Sequence, residues 1–318
     1  MKTVKDVIED VQKLRGKSAG WPSDFEYSAK DGNAEITLKK NFNKENFRRL
    51  DPWGLAFIDE IGHNPTEKIK QIVFAIDKSE DNIKKADMES FLRRISFLAL
   101  NNKEIKFIVK LNGAERTLYE TQDILFNRPD IETIREESSP GSDEDKPGRI
   151  EKDFQTFLFG KDSGREQRTN ERLAILGEDF YNLKKKELGI MREFATGVFK
   201  KEKSEKNRIL PTEFIDIVTL NKYGEIAIIE LKLNDSKLEV ISQILDYALF
   251  FRCYKSQLLS ILGKGFKEKI KKDNIVCYVA NNHFHPRFNG IKKYYTTDKK
   301  GYKFEMKQII LGQTETIK

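Results

Sequence analysis

A chain of 318 residues is long enough for two ordinary domains, and 38% hydrophobic against 34% charged residues gives it a packable core under a heavily solvated surface. No stretch approaches the roughly 20 apolar residues that cross a bilayer, and the opening Met1-Lys2-Thr3-Val4-Lys5-Asp6 has no apolar signal region, so the expectation is a cytoplasmic protein without a membrane partner. The net charge of +7 is uneven: residues 1–134 hold 23 basic and 23 acidic side chains, whereas residues 150–318 hold 32 against 23. A positive surplus of this kind favours a polyanionic partner, though many domains carry one for solubility alone.

Residues 1–134 read as a mixed α/β domain. Ala34 to Leu38 alternates like a strand, and Leu55 to Ile61 and Gln71 to Ile76 are short apolar runs that also read as strands. Asp81 to Leu100 follows helical spacing through Ile83, Met88, Phe91, Leu92 and Ile95. Ile105 to Leu111 and Thr117 to Tyr119 return to strand. No phosphate loop, dinucleotide fingerprint or metal-ligand spacing occurs here, and His63, between Gly62 and Pro65, reads as a turn residue. With no surplus charge and no catalytic pattern, this half is expected to regulate the rest or sense a trigger, and not to bind a substrate strongly.

Residues 135–149, REESSPGSDEDKPGR, contain no apolar residue and read as an exposed linker. Residues 150–318 are expected to fold on their own. Glu151 to Phe159 reads as a short helix and Arg165 to Leu188 as a longer one, with Leu173, Leu176, Phe180 and Leu183 on one face. Ile190 to Phe199, Glu213 to Leu220 and Glu225 to Leu233 read as strands, Leu238 to Leu262 as a long helix, and Ile275 to Ala280 as a closing strand. Gly301 to Leu311 adds a further strand. Cys253 and Cys277 lack a CxxC spacing and read as reduced core thiols. His283-Phe284-His285 offers two imidazoles at alternate positions but no third ligand, and reads as a strand-end feature.

The chemistry concentrates in two segments, Thr212-Glu213-Phe214-Ile215-Asp216-Ile217-Val218-Thr219-Leu220 and Glu225-Ile226-Ala227-Ile228-Ile229-Glu230-Leu231-Lys232-Leu233. Both are apolar on both faces, the pattern of central strands, where a charge needs a partner or a metal. A three-residue loop Lys222-Tyr223-Gly224, ending on glycine, pairs Asn221 with Glu225 and sets Asp216 opposite Glu230. Two carboxylates so placed repel unless a divalent cation joins them, and Lys232 emerges on the same face. Two carboxylates, a hard cation and a lysine suit phosphodiester hydrolysis.

These residues resemble the PD-(D/E)XK, or restriction-endonuclease-like, nuclease superfamily. The helix, three strands, helix, strand order over roughly residues 150–280 is similar to its αβββαβ core. Asp216 matches the acidic residue of its second strand, Glu230-Leu231-Lys232 the E-x-K of its third, and Gln243 a glutamine of the following helix. Ile215 stands where proline often precedes the aspartate. Glu151-Lys152-Asp153-Phe154-Gln155-Thr156-Phe157-Leu158, the E-x-K and Gln243-Ile244-Leu245-Asp246-Tyr247 are similar to the Shedu anti-phage nucleases, which join a variable N-terminal region to this domain and assemble as homo-oligomers. The resemblance implies an endonuclease dependent on Mg²⁺ or Mn²⁺, acting on DNA in prokaryotic defence, with Asp216, Glu230 and Leu231 as metal positions and Lys232 and Gln243 as further catalytic positions. Superfamily members often add a glutamate from the first core helix; Glu166, Glu171 and Glu178 are open choices, with Glu171 taken for its place at mid-helix. The rivals are a repair or restriction nuclease of the same chemistry, and a nucleic-acid-binding module that has lost it. Limited trypsin digestion is expected to cut first between Arg135 and Arg149; first cuts within residues 165–262 would show the division to be misplaced.

Overall fold

The computed structural model describes residues 20–63, 68–77, 83–112, 114–117, 133–134, 191–200, 204–211, 213–262, 264–272, 274–296 and 304–311, with 154, 155, 158, 173–177 and 180 between them. The chain is mixed α/β. In the first half, β1 (Phe25–Lys30) and β2 (Asn33–Leu38) form a hairpin, followed by α1 (Lys44–Gly62), β3 (Gln71–Ile76), α2 (Lys85–Asn101), β4 (Lys106–Leu111) and β5 (Ala114–Thr117). These strands make one sheet in the order β1-β2-β3-β4-β5. Lys30 pairs with Asn33 across Asp31 and Gly32, both at positive φ (51° and 76°), the geometry of a tight primed turn. The sequence reading assigned nothing to β1, although Asp-Gly between alternating residues carries that turn.

In the second half, β7 (Met191–Ala195), β10 (Phe214–Leu220) and β11 (Ile226–Leu231) are antiparallel neighbours, and β12 (Ile275–Asn281) and β13 (Phe304–Ile310) extend the sheet in parallel. Its order is β13-β12-β11-β10-β7. A small third sheet joins β6 (Thr133–Ile134), β8 (Val198–Phe199) and β9 (Arg208–Leu210). The connection from β11 to β12 runs through α3 (Glu239–Cys253), α4 (Lys255–Leu262) and the short α5 (Lys264–Lys267); α6 (Phe288–Tyr295) precedes β13. The strand anticipated over Ile190 to Phe199 divides because Thr196 turns aside to exchange hydrogen bonds with Glu213, amide to carbonyl at 2.9 Å and amide to hydroxyl at 3.1 Å. The single helix anticipated over Leu238 to Leu262 is broken at Tyr254, whose buried hydroxyl accepts from Arg93 Nη1 at 3.1 Å.

Leu55 to Ile61 is not a strand. It lies inside α1, capped by Asn43, whose side chain accepts the Asn46 amide at 3.0 Å. Phe47, Leu50, Trp53, Leu55, Ala56, Phe57, Ile58 and Ile61 are all buried, and the partly exposed charges lie toward the two ends of the helix, at Lys44, Arg48 and Arg49 and at Asp59 and Glu60, so its middle reads as an unbroken apolar run. The cause is its position: one side packs on β2 and β3, the other on α3 and α6. The molecule is thus layered as first sheet, α1 with α2, α3 with α6, second sheet. One continuous core runs from Ile36, Phe74 and Phe91 through Phe47 and Leu50 to Ile244, Tyr247 and Val279. A second core, on the far face of the second sheet, sets Leu158, Leu173, Leu176 and Phe180 against Ile217, Ile229 and Tyr278.

The anticipated linker 135–149 lies outside the described residues. Among the described residues, one face of α3 is covered by α1 and α2 of the first half, so the two halves share the core on that side.

Gly54 marks the tightest approach of α1 to the first sheet. A Cβ there would stand 2.6 Å from Phe74 Cε1 and 3.1 Å from Ile72 Cδ1. Gly54→Ala gains roughly 1 kcal/mol of helix propensity. Overpacking costs roughly 1–3 kcal/mol, so a lower urea midpoint is the expected result. A raised midpoint would mean that the Phe74 ring gives way freely.

Candidate active site

The hairpin that carries the charged residues has the register read from its loop. Ile217 pairs with Ile229, Val218 with Ile228, Thr219 with Ala227 and Leu220 with Ile226. Gly224 takes φ +72°, and its amide donates to the Asn221 carbonyl at 2.9 Å. Asn221 Oδ1 also accepts the amides of Tyr223 and Glu225, at 3.0 and 3.1 Å. Glycine is required twice over, since a Cβ at Gly224 would meet Lys271 Cγ at 2.8 Å.

One step beyond the last pair, Asp216 Oδ2 accepts the Leu231 amide at 2.7 Å, so the carboxylate is tied to the strand that carries Glu230. Gln155, from the motif stretch 151–158, donates to the Asp216 carbonyl at 3.4 Å. Along β11, Ile226 and Ile228 face the helices, while Ala227, Ile229 and Leu231 face the second core. Alternation places Glu230 and Lys232 on the helix side. Glu230 is only 1% exposed. Its Oε1 meets Lys232 Nζ at 2.8 Å, and its Oε2 is buried with no hydrogen-bond partner. A buried carboxylate oxygen left so is costly, and is common only where something else occupies its lone pairs.

On α3, Gln243 Nε2 donates to Tyr247 Oη at 2.7 Å, and Tyr247 Oη donates to the Phe214 carbonyl at 3.2 Å. Burial, and next the Glu230 charge, push the Tyr247 phenol well above its ordinary range; Asp216 adds to the rise, and Arg48 and Gln243 oppose it. The phenol therefore stays neutral, and both carboxylates lie within its electrostatic reach. Gln243 and Lys232 line one open pocket of about 190 Å³. Glu171 lies outside the described residues.

Two features escape sequence reading. Lys44 and Arg48, from α1 of the first half, line the same pocket. Both contact Glu213, Arg48 at 3.0 Å. Burial, and next the Arg48 guanidinium, lower the Lys44 ammonium from its ordinary 10.5 to about 8, against the pull of Asp87 and Asp246. The second feature is Glu193. The β7–β10 register sets it opposite Asp216, and it holds φ +49° in mid-strand, a strained value for a non-glycine residue.

Among the described residues no group of three or more His, Cys, Asp or Glu side chains is gathered to hold a metal ion. The donor set at the hairpin is smaller: Asp216, Glu230 and the backbone at Leu231. It fits Mg²⁺, which commonly takes one or two protein carboxylates and completes its shell with water and phosphate, and Glu230 Oε2 is the donor in need of a partner. No protein-family model matches the chain, and no curated protein or solved structure shows significant similarity to it. No helix among the described residues is long and apolar enough to cross a membrane. Cys253 and Cys277 are buried thiols outside any disulfide.

His285 is a core residue. It is 3% exposed, edge-on to Trp53 at 5.3 Å, and its Nδ1 accepts the Arg287 amide at 3.1 Å. That bond requires the neutral ring. Burial first, then Arg287 and His283, lower its pKa from 6.5 to about 4. As pH falls the unfolded chain takes this proton first, so stability is lost between pH 6.5 and 4, by on the order of 3 kcal/mol. His285→Gln should flatten that part of the denaturation-midpoint profile. A variant as acid-sensitive as the wild type would show that His285 does not resist protonation.

Proposed function

We infer that the chain is a metal-dependent nuclease of the PD-(D/E)XK type, hydrolysing phosphodiester bonds of nucleic acid, with DNA as the favoured substrate. The observation that carries this reading is the buried Glu230, held by Lys232 on one oxygen and unpartnered on the other, beside a strand that fixes Asp216. Three strands in antiparallel succession, a helical crossover and a fourth strand parallel to the third are the order the restriction-endonuclease-like core uses. The surplus of cations in residues 150–318 suits a polyanionic substrate. The Shedu-like motifs extend the reading to anti-phage defence by a homo-oligomer.

Asp216, Glu230 and the backbone at Leu231 would hold Mg²⁺ or Mn²⁺. The ion would polarise the phosphoryl group and lower the pKa of a bound water. The chain's own groups do the rest. The Leu231 amide fixes the Asp216 carboxylate. Lys232 pairs with the buried Glu230 at 2.8 Å and presents a cation to the charge that would develop on phosphate. Tyr247, neutral and bonded at both ends of its hydroxyl, holds Gln243 at the pocket wall.

Purified protein is expected to nick or linearise plasmid with Mg²⁺ and to stop in EDTA. Glu230→Gln should abolish cutting, and Lys232→Ala should lower the rate roughly 10²–10³-fold. In thermal melts Mn²⁺ should raise the wild-type midpoint and leave that of Glu230→Gln unmoved. Cutting by Glu230→Gln at the wild-type rate would overturn the assignment. Binding without cutting, in any metal, would leave a nucleic-acid-binding module.

A further inference from the structure

The pocket lined by Lys232 and Gln243 is not built by the second half alone. Its walls hold Lys232 and Lys237 from the segment after β11, and Lys44 and Arg48 from the first turns of α1. Three acidic residues also reach it, Glu45, Asp235 and Glu239. Those three are already engaged. Arg49 pairs with Glu45 at 3.2 Å and with Glu239, and Asp235 accepts the Lys237 amide at 3.1 Å and faces its ammonium at 3.9 Å.

On the α1 wall one carboxylate, Glu213, serves two cations. Lys44 and Arg48 are four residues apart on a helix, where like charges repel. Arg48 is 14% exposed and Lys44 41%, so the pair is held against that repulsion at the rim of the pocket. An anion entering the pocket would relieve it. The space, about 190 Å³, is several times the roughly 30 Å³ that one water takes up in the liquid, enough for a phosphate group. An arginine suits such a group because its planar fork matches two phosphate oxygens, while a lysine adds a point charge.

We propose that Lys44 and Arg48 form a phosphate-binding wall through which the first half of the chain grips the nucleic-acid backbone beside the scissile bond. The proposal rests on the nuclease reading for its substrate, and it changes the part assigned to residues 1–134. By charge balance they are expected to regulate and not to bind substrate strongly; by position they supply half of the pocket's cations. The first half then acts as the opposing jaw of the cleft: the second sheet carries the carboxylates, and α1 carries the grip on the strand.

The test is fluorescence anisotropy on the full-length protein in EDTA, where no cutting occurs. The probes are a labelled DNA duplex, its single strand and the matching RNA strand, each across a range of salt concentrations. Lys44→Gln and Arg48→Gln are each expected to weaken binding about 5- to 10-fold at low salt and to lower the slope of log affinity against log salt by roughly one phosphate contact. Lys68→Gln, removing an exposed cation paired with Glu104 at 3.0 Å, should change neither. If Arg48→Gln fails to fold for want of a partner for Glu213, Lys44→Gln and the charge-keeping Arg48→Lys decide the matter. Unchanged affinity and slope in Lys44→Gln would overturn the wall, as would a wild-type protein that binds none of the three probes. A protein that binds in this pattern yet never cuts with Mg²⁺ would remove the nuclease reading and leave the wall standing. Cutting by a Lys44→Gln protein with wild-type binding would do the reverse.

Discussion

Arg94 leaves α2 in the first half of the chain and ends, 1% exposed, between two carboxylates: Asp51 of α1 at 3.0 Å and Asp246 of α3 at 2.8 Å. Its Nη2 also donates to the Phe47 carbonyl at 2.7 Å. Asp51 in turn accepts from Ser242 Oγ at 2.7 Å and from Tyr295 Oη at 2.9 Å. Four helices, three of them surrounding the fourth, are therefore bonded through one buried cluster. Burial alone would favour a neutral guanidine, but Asp246 and Asp51 outweigh it and hold Arg94 charged. Buried ion pairs of this kind add little to net stability, yet removing one member leaves an uncompensated charge and typically costs 3–5 kcal/mol. The cluster accordingly acts as a register pin: it allows the two helical layers one relative position.

That position sets the site. Asp246 is flanked on α3 by Gln243, at the pocket, and by Tyr247, whose hydroxyl reaches the Phe214 carbonyl beside Asp216. Arg94 binds both oxygens of Asp246, at 2.8 and 2.9 Å, and so fixes the rotation of α3 about its own axis. The same guanidinium fixes α1 through Asp51 and the Phe47 carbonyl, one residue from Arg48. A buried contact from one Arg94 nitrogen to both oxygens of Asp246, in the joint between the halves, thus spaces the α1 cations from the hairpin carboxylates. Neither half could hold the pocket's width without the other.

The hairpin was legible because its determinants are local. Asn221 and Gly224 dictate a three-residue loop, and the loop dictates which residues oppose one another, so the neighbourhood of Asp216 and Leu231 followed from a count along the chain. The joint was not legible because its determinants are tertiary. Leu55 to Ile61 resembles a strand because the middle of α1 is buried between the first sheet and α3 with α6, and its charged residues stand toward the ends of the helix, outside that short window. Tyr254 interrupts a helix-forming run for a contact with Arg93, which lies 161 positions away. Lys44 and Arg48 vanish in a half whose charges sum to zero; only their place at the pocket distinguishes them from 21 other basic residues there.

The electrostatics of the cleft follow from these two origins. On the sheet side the hairpin presents carboxylates, one of them with a buried oxygen that has no hydrogen-bond partner, a local negative surplus. On the helix side α1 presents two cations that share Glu213 as their contacting carboxylate, with Asp87 and Asp246 farther off, a local positive surplus. Each surplus is unfavourable alone, and bringing them closer until they neutralised each other would remove both. The structure does not do so: Glu230 is claimed by Lys232 and the α1 pair by Glu213, while the pocket lies between them. A divalent cation bridged to a phosphate has the charge order that this arrangement lacks, positive toward the sheet and negative toward the helix. On the proposed nuclease reading, separated charge of opposite sign, held apart by a joint that is itself pinned by a buried ion pair, would form a standing field suited to that ligand. It also explains why the site has to sit between the halves, since within one packed core such a separation would collapse into ordinary ion pairs.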